Sequence, residues 1–238
     1  YVPDSSKLPI FMAFGLLLFV LGAGGTINDL GKESSNSYLL LMASFAVIWG
    51  VMFVWFSNVI SENNQKLYSD QLNRSFVHGM AWFIFSEVMF FFAFFLALGY
   101  VRLFAVPWLG GDGEKGITNI LWPAFEAAWP VMETPDNENF PGAYKNMNIP
   151  GITKLYTWLP FWNTLCLVTS SGTIALAESA LKKGNRTSFK SWMVVTISLG
   201  FIFVFLQGLE YYEAYAHMGL TLGAGIYGTT FFLLTGFH

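Results

Sequence analysis

The chain has 238 residues, of which 54% are hydrophobic, 18% aromatic and only 11% charged, and its net charge is −3. Soluble domains carry about a quarter charged residues, so this composition indicates a membrane protein. The 12 Lys and Arg residues are spread along the chain without a basic cluster, which argues against a nucleic-acid partner.

Five apolar runs are long enough to cross a bilayer as helices. A hydrocarbon core about 30 Å thick requires roughly 20 residues at the helical rise. The runs cover 8–27, 38–60, 79–100, 158–181 and 191–212. A sixth run begins near Ile226 and stops at His238, so we expect this chain to end inside a sixth helix. The predicted fold class is an all-α membrane protein, a polytopic helical bundle.

The first two runs are separated by the short polar stretch 28–37, so we expect them to form a helical hairpin. Gly22, Gly24 and Gly25 lie where the first run ends. Glycines there let two helices approach closely, although they equally suit fraying of the helix before the turn. The hairpin makes up the first of two predicted domains, residues 1–60.

The second predicted domain, residues 61–238, is a helical bundle with one long extramembrane loop at 104–157. The loop is rich in Gly, Pro and Trp, and loops of this length are usually functional or make contacts. Its Trp-Pro and Pro-Trp pairs suit a lid on the outer membrane surface. Between the fourth and fifth runs, Gly184 is placed to end one helix, and Thr187 or Ser188 to cap the next.

The distribution of Lys and Arg predicts the orientation in the membrane. The side that holds the amino end carries most of these residues in short loops, and cytoplasmic loops carry the excess of Lys and Arg in membrane proteins. They are Lys7, Lys66, Arg74, Lys182, Lys183, Arg186 and Lys190. The first short loop on the opposite side holds Lys32. We therefore expect the amino end to be cytoplasmic.

The ligands for a redox centre are scarce. Haem or copper in a helical bundle needs several His or Cys side chains at membrane depth. The sequence contains one cysteine, Cys166, and three histidines, His78, His217 and His238, which lie near the ends of runs or of the chain. We expect that this chain alone builds no haem or copper site.

Glu87 lies near the middle of the third run and is a candidate functional group. A carboxylate at membrane depth is costly unless it faces protein, water or a partner. Phe83, Phe90 and Phe91 share its helix face, so we expect a buried carboxyl group with an aromatic surrounding. Three roles remain open: a structural hydrogen bond, a proton relay and the substrate site of a transporter.

Glu210, Glu213 and His217 are a weak metal-site candidate. Their spacing of three and seven residues places them on one face of a continuing helix. Two carboxylates and an imidazole could hold one metal ion. The favoured alternative is an interfacial helix end, with acids in water or paired across an interface, because di-metal bundles take Glu-x-x-His from more than one helix.

The end of the second run carries Trp55 and Phe56, with Glu62 just beyond it. Aromatic side chains commonly anchor a helix at the membrane interface, and this alone explains Trp55 and Phe56. Glu62 is then a solvated loop acid, unless a positive group such as a lipid amine lies over it.

Several motifs resemble, in the right order, signatures of subunit III of the haem-copper cytochrome oxidases. They are 86–91 (SEVMFF), 163–164 (NT), 171–172 (SG), 184–186 (GNR), 207–214 (QGLEYYEA), 225–232 (GIYGTTFF) and 235–238 (TGFH). The long loop with 106–111 (VPWLGG) is similar to the proteobacterial branch. The resemblance implies seven transmembrane helices, the first two splayed from the other five around a lipid-filled cleft, with this chain ending inside helix six.

The resemblance also implies a function. It is that of a non-catalytic core subunit of a proton-pumping cytochrome c oxidase, used in aerobic respiration in a bacterial inner membrane. Such a subunit packs on catalytic subunit I and stabilises it, with copper subunit II as a further partner in the complex. It also binds structural phospholipids and supports proton uptake. Haem and copper lie in the partner subunits, which pass electrons from cytochrome c to dioxygen.

Site residues follow from the resemblance one at a time. Glu87 matches the buried carboxylate of the family's third helix, and Trp55, Phe56 and Glu62 match residues that line the lipid cleft. The chain also departs from the family pattern, since 57–58 is Ser-Asn where an Arg-Asp pair is usual. Charge pairing with a lipid headgroup is therefore in doubt there.

Two alternatives stay open at this point. The first is the equivalent subunit of a quinol oxidase, although that branch typically lacks the first helical pair, which is present here. The second is a solute or proton transporter that uses Glu87. Transporters tend to show paired halves with broken helices, and neither is evident in this sequence.

Overall fold

The computed structural model describes residues 5–29, 36–143 and 151–238, and the regular structure within these ranges is helical. Its α-helices are α1 (Leu8–Asn28), α2 (Ser37–Asn64), α3 (Asp70–Tyr100), α4 (Val106–Leu109), α5 (Leu159–Lys182), α6 (Arg186–His217) and α7 (Ile226–Phe232). Lys32 and residues 144–150 of the long loop, both used in the predictions above, lie outside the described residues.

The five predicted spans are confirmed. Within the described ranges, five helical stretches are long and apolar enough to cross a membrane. They are Leu8–Asn28, Ser37–Asn64, Asp70–Leu109, Leu159–Lys182 and Arg186–His217. The sixth run forms the shorter apolar helix Ile226–Phe237, in which α7 continues into a π-helical turn. The chain is thus an all-α, multi-pass membrane protein.

The helices extend beyond their apolar runs. The second span continues to Asn64, the third begins at Asp70, and the fifth ends at His217. Once a helix has formed, adding one more residue costs little free energy because each added residue gains a hydrogen bond. The helix therefore continues into the polar residues until a turn ends it. Between α2 and α3 the turn includes Lys66, whose φ is 56°.

The long loop begins later than predicted. The third span continues through a π-helical turn, Val101–Ala105, into α4, so the irregular chain starts at Gly110 rather than at residue 104. Pro107 lies directly after the π-helical turn, in the first turn of α4, and the helical path continues past it to Leu109.

The chain divides into two compact units, Tyr1–Ser86 and Glu87–His238, with the division inside α3. The division after residue 60 that the loops suggested stays a prediction. In the first unit, α1 and α2 pack along their lengths. Gly15 of α1 lies against Ile48 of α2, and Gly22 lies against Leu41, so the two helices run antiparallel.

The glycines of α1 differ in their surroundings. A Cβ atom added at Gly22 would lie 2.6 Å from the backbone nitrogen of Leu41, and one at Gly25 would lie 3.0 Å from the Ser37 side chain. A Cβ atom at Gly24 would meet nothing within 4 Å. Close helix approach is therefore confirmed at Gly22 and Gly25, while Gly24 faces away from α2.

In the second unit, α5 and α6 form the main helix pair. Thr173 and Thr196 share a hydrogen bond of 2.7 Å across this pair. Gly184 has a φ of 71° at the turn between the two helices, as predicted. The predicted cap is wrong: Asn185 caps α6 by accepting a hydrogen bond from the Ser188 backbone, since its side chain reaches the free N–H groups of the first turn.

The long loop packs against the turn between α6 and α7. Ala143 of the loop is buried with Ala214 and Leu220, and the Trp129 and Tyr227 rings lie 5.4 Å apart between centroids. The partly buried side chains around this cluster are Met132, Tyr227, Phe231 and Phe232. The loop thus makes tertiary contacts, whereas its position on the outer membrane surface stays a prediction.

The packing at Gly22 gives a testable prediction. Gly22→Ala places a methyl group against the α2 backbone, which cannot move aside as a side chain can. We expect the free energy of unfolding to fall by about 1–3 kcal/mol. Thermal or denaturant unfolding of the purified protein in detergent measures it. Gly24→Ala is the matched control, because its methyl group meets open space and removes glycine's entropy cost in a helix.

An equal effect of the two substitutions would contradict the packing described for α1 and α2.

Candidate functional site

Glu87 of α3 has a partner in this structure. Its carboxylate oxygen Oε2 is hydrogen-bonded to Nδ1 of His238. The side chain of Glu87 is 29% exposed and that of His238 is 50% exposed within the single chain. Full burial of Glu87, in a bilayer or a complex, stays a prediction.

The π-helical turn after α7 carries His238 to this position. The turn covers Leu233–Phe237 and widens the helix just before the histidine. The hydroxyl groups of Tyr211 and Thr235 share a hydrogen bond of 2.7 Å, which ties the turn to α6. A Cβ atom at Gly236 would lie 3.4 Å from the Tyr211 hydroxyl oxygen, so this tie is close.

An aromatic ring packs against the Glu87–His238 pair, and a second aromatic contact lies next to it in the sequence. The Phe91 ring meets the His238 ring edge-on at 4.7 Å between centroids, and Phe90 lies 5.3 Å from Phe237. Of the three predicted aromatic neighbours, Phe91 thus contacts the pair, and Phe90 packs against Phe237, the residue before His238. Phe83, the third, is 61% exposed.

A carboxyl group in contact with an imidazole can hold one proton at either of two atoms. With the proton on Nδ1, the ring donates to the carboxylate, and with the proton on Oε2, the carboxyl donates to the ring. Histidine is the side chain whose charge changes most readily near neutral pH. The arrangement can therefore keep or transfer a proton while each heavy atom stays in place.

His238 is the site residue that sequence reasoning missed. The two residues are separated by 151 positions, so no local spacing connects them. By its position alone, His238 is one of three histidines that lie near the ends of runs or of the chain. The signal that could have found it is the rule that a carboxylate in a membrane span needs a partner from another helix.

The three lipid-cleft candidates lie on α2. Glu62 is in the last turns of this helix rather than in a loop, and its Oε2 atom accepts a hydrogen bond of 2.8 Å from the Tyr68 hydroxyl. The Tyr68 ring in turn meets Phe76 at 5.5 Å. Trp55 and Phe56 are 37% and 57% exposed. Their contact with lipid stays a prediction, but the Glu62 carboxylate already has a protein donor.

Glu210, Glu213 and His217 all lie on α6 but do not form one site. Glu210 is half-buried and interacts with the amide of Asn163, while Glu213 is exposed. His217 packs edge-on against Tyr212 at 5.8 Å. No three His, Cys, Asp or Glu side chains in the described ranges are grouped to hold a metal ion. The interface role suggested for these residues stays a prediction.

The link between Tyr211 and Thr235 gives a second prediction. Tyr211→Phe removes the hydroxyl group while keeping the ring, so we expect a loss of about 0.5–1.5 kcal/mol in unfolding free energy. Hydrogen–deuterium exchange should also increase in 233–238. Tyr212→Phe is the control, because the exposed Tyr212 ring meets His217 instead. Unchanged exchange in the Tyr211 variant would show that the hydroxyl does not hold the turn.

The fold and the paired carboxyl group define a multi-pass helical membrane protein with a polar pair in its second unit. Comparison with known proteins gives the family. The sequence model of cytochrome c oxidase subunit III matches residues 1–121 and 117–238. The chain therefore belongs to the cytochrome c oxidase subunit III family, which confirms the resemblance seen in the motifs.

Individual relatives agree over the whole chain. Cytochrome c oxidase subunit 3 of Prototheca wickerhamii is 31% identical over 240 residues, covering 100% of this chain and 76% of the relative. The proteins of the same name from Oncorhynchus masou and Gadus morhua are each 30% identical over 240 residues, covering 100% of this chain and 75% of each relative.

Proposed function

We propose that this chain is the non-catalytic third core subunit of a proton-pumping cytochrome c oxidase in a bacterial inner membrane. The observation that carries the proposal is the family match, which extends over the whole chain. Haem and copper are held by partner subunits in this proposal, and those subunits pass electrons from cytochrome c to dioxygen. The amino end of this chain faces the cytoplasm.

The proposed role in proton uptake rests on the Glu87–His238 pair. Both side chains can bind a proton, they contact each other directly, and the Phe91 ring packs edge-on against His238. A pair of this kind can take a proton from one side and hand it to a neighbouring acceptor. The pair would act beside the proton path of the catalytic subunit rather than within the redox chemistry.

The proposed role in stabilising the catalytic subunit rests on the surface of α3. Large apolar side chains of this helix are exposed in the single chain, among them Trp82, Phe85 and Phe92. Lipid covers some of this surface in a membrane, and a partner subunit fits the remainder. We place the interface with catalytic subunit I on this helical surface, with copper subunit II in the same complex.

The Glu87 carboxyl gives the third prediction. Glu87→Gln keeps the size of the side chain but removes its ability to hold and release a proton. We expect oxygen reduction to stay mostly intact, while proton uptake slows and stability falls by about 1–3 kcal/mol. Oxygen consumption, proton uptake and thermal inactivation of the purified oxidase measure these effects. Glu178→Gln is the control, because Glu178 is an exposed carboxylate paired with Lys182.

Two outcomes would contradict the proposal. If the variant oxidase assembled normally but lost turnover altogether, Glu87 would take part in catalysis. If the isolated wild-type chain moved a solute or protons across vesicle membranes and Glu87→Gln abolished this transport, the transporter alternative would be correct.

The lipid-cleft residues give the fourth prediction. We propose that phospholipid packs against Trp55 and Phe56 of α2, close to the Glu62–Tyr68 hydrogen bond. Trp55→Ala should reduce the number of phospholipids that co-purify with the oxidase, because it removes a large aromatic surface from the interface. Phosphate analysis or native mass spectrometry counts these lipids.

Trp49→Ala is the matched control for Trp55, because Trp49 is exposed on a different face of the same helix. An equal loss of lipid in both variants, or in neither, would remove Trp55 from the proposed cleft.

A further inference from the structure

The long loop contains a short 3-10 helix, Gly116–Leu121, whose apolar side chains are uncovered. Ile117, Ile120 and Leu121 are 76%, 72% and 69% exposed. Residues three apart in a 3-10 helix lie above one another, so Ile117 and Ile120 share one face. The short helix lies outside the five spans, where crossing the hydrocarbon core does not explain an exposed aliphatic side chain. A group of such side chains indicates an interaction surface.

The short helix is held against the end of the third span by side-chain hydrogen bonds. The hydroxyl group of Thr118 donates to the backbone carbonyl of Trp108 at 2.9 Å, and the side-chain amide of Asn119 donates to that of Leu109 at 2.8 Å. Both acceptors lie in α4, the last turn of the span, where carbonyl groups have no donor within the helix. The exposed aliphatic side chains therefore have a defined position relative to the span.

The third span is long enough to bring its last turns out of the hydrocarbon core. It covers 40 residues, Asp70–Leu109, which is roughly 60 Å at the helical rise and about twice the thickness of the core. Arg102 is the first charged residue after the apolar run. The rings of Tyr100, Phe104 and Trp108 follow one another at 5.5 Å and 5.7 Å between centroids. Such a row of aromatic rings is typical of a helix end at the membrane interface.

Two cationic side chains accompany these aromatic rings. The Nζ atom of Lys115 lies 4.7 Å from the centroid of the Trp108 ring, and the guanidinium carbon of Arg102 lies 5.4 Å from that of Trp129. Both cations are exposed. Lysine is depleted from protein–protein interfaces, whereas it is attracted to the anionic groups of a lipid surface. The charges next to the aliphatic side chains therefore favour lipid over a partner subunit.

We propose that the short helix inserts Ile117, Ile120 and Leu121 into the interfacial layer of the bilayer, with phospholipid as their partner and Lys115 beside the lipid phosphate. The Trp-Pro pairs predicted that the loop lies on a membrane surface, and the short helix is the segment that enters it. Because the short helix is hydrogen-bonded to α4, its insertion fixes the depth of the third span in the membrane. The contact depends neither on the oxidase function nor on the role proposed for Glu87.

Photo-crosslinking of the purified oxidase complex in vesicles of phosphatidylethanolamine and phosphatidylglycerol tests the contact. In Ile120→benzoylphenylalanine, the new side chain bonds on irradiation to a C–H group that it touches. We expect mass spectrometry of this chain to show phospholipid adducts, in a yield several-fold above that of the matched control. The control is the same substitution at Glu138, an exposed polar residue of the same loop.

Three results would overturn the proposal. A crosslink from position 120 to another subunit would show that protein covers the short helix. A complex that assembles but gives no adduct at this position would show that the side chain lies in water. An equal yield of phospholipid adducts at position 138 would show that the short helix has no special contact with lipid.

Two further variants keep the test decisive if Ile120→benzoylphenylalanine does not assemble. Ile117→benzoylphenylalanine examines the same face of the short helix, and the same results are expected. Ile120→Asp places a carboxylate where insertion requires an apolar group, so we expect hydrogen–deuterium exchange at 116–121 to increase several-fold in the vesicles. Glu138→Gln should leave this exchange unchanged. Unchanged exchange in Ile120→Asp would contradict the insertion.

Discussion

A polar side chain inside a membrane-spanning helix needs a partner, and this constraint organises the second unit of the chain. Water is absent from the bilayer core, so the partner has to come from another helix or from the chain's own backbone. Glu87 meets His238, and Thr173 meets Thr196 across the α5–α6 pair. Each hydrogen bond fixes the position of one helical segment along the axis of its neighbour.

In the first unit, close packing at glycines rather than polar contact holds the two helices together. Helix α1 carries few polar side chains, and its contact with α2 depends on close packing at Gly15 and Gly22. Ser44 of α2 is fully buried and returns its hydroxyl hydrogen to the Leu41 carbonyl of its own helix. In lipid there is no hydrophobic force to hold helices together, so small residues and close contact replace it.

Composition and run length predicted the helical class and the five spans. The thickness of the bilayer sets how many consecutive apolar residues a spanning helix needs. Helix ends were predicted less well. The third span continues to Leu109, and Asn185 caps α6, because local hydrogen bonding rather than hydropathy decides where a helix stops. The contacts of Glu87 with His238 and of Asn163 with Gln207 join residues far apart in the sequence. Local sequence spacing therefore could not predict them.

The central claim is that this chain serves an oxidase without carrying its redox centre. The most direct measurement is purification of the complex through an affinity tag on this chain, followed by its controlled dissociation. The account predicts that haem absorbance and cytochrome c oxidation co-purify with the tag, and that the haem stays with the partner subunits after dissociation. Haem that remained on the isolated chain, or a tagged chain that brought no oxidase activity with it, would contradict the account.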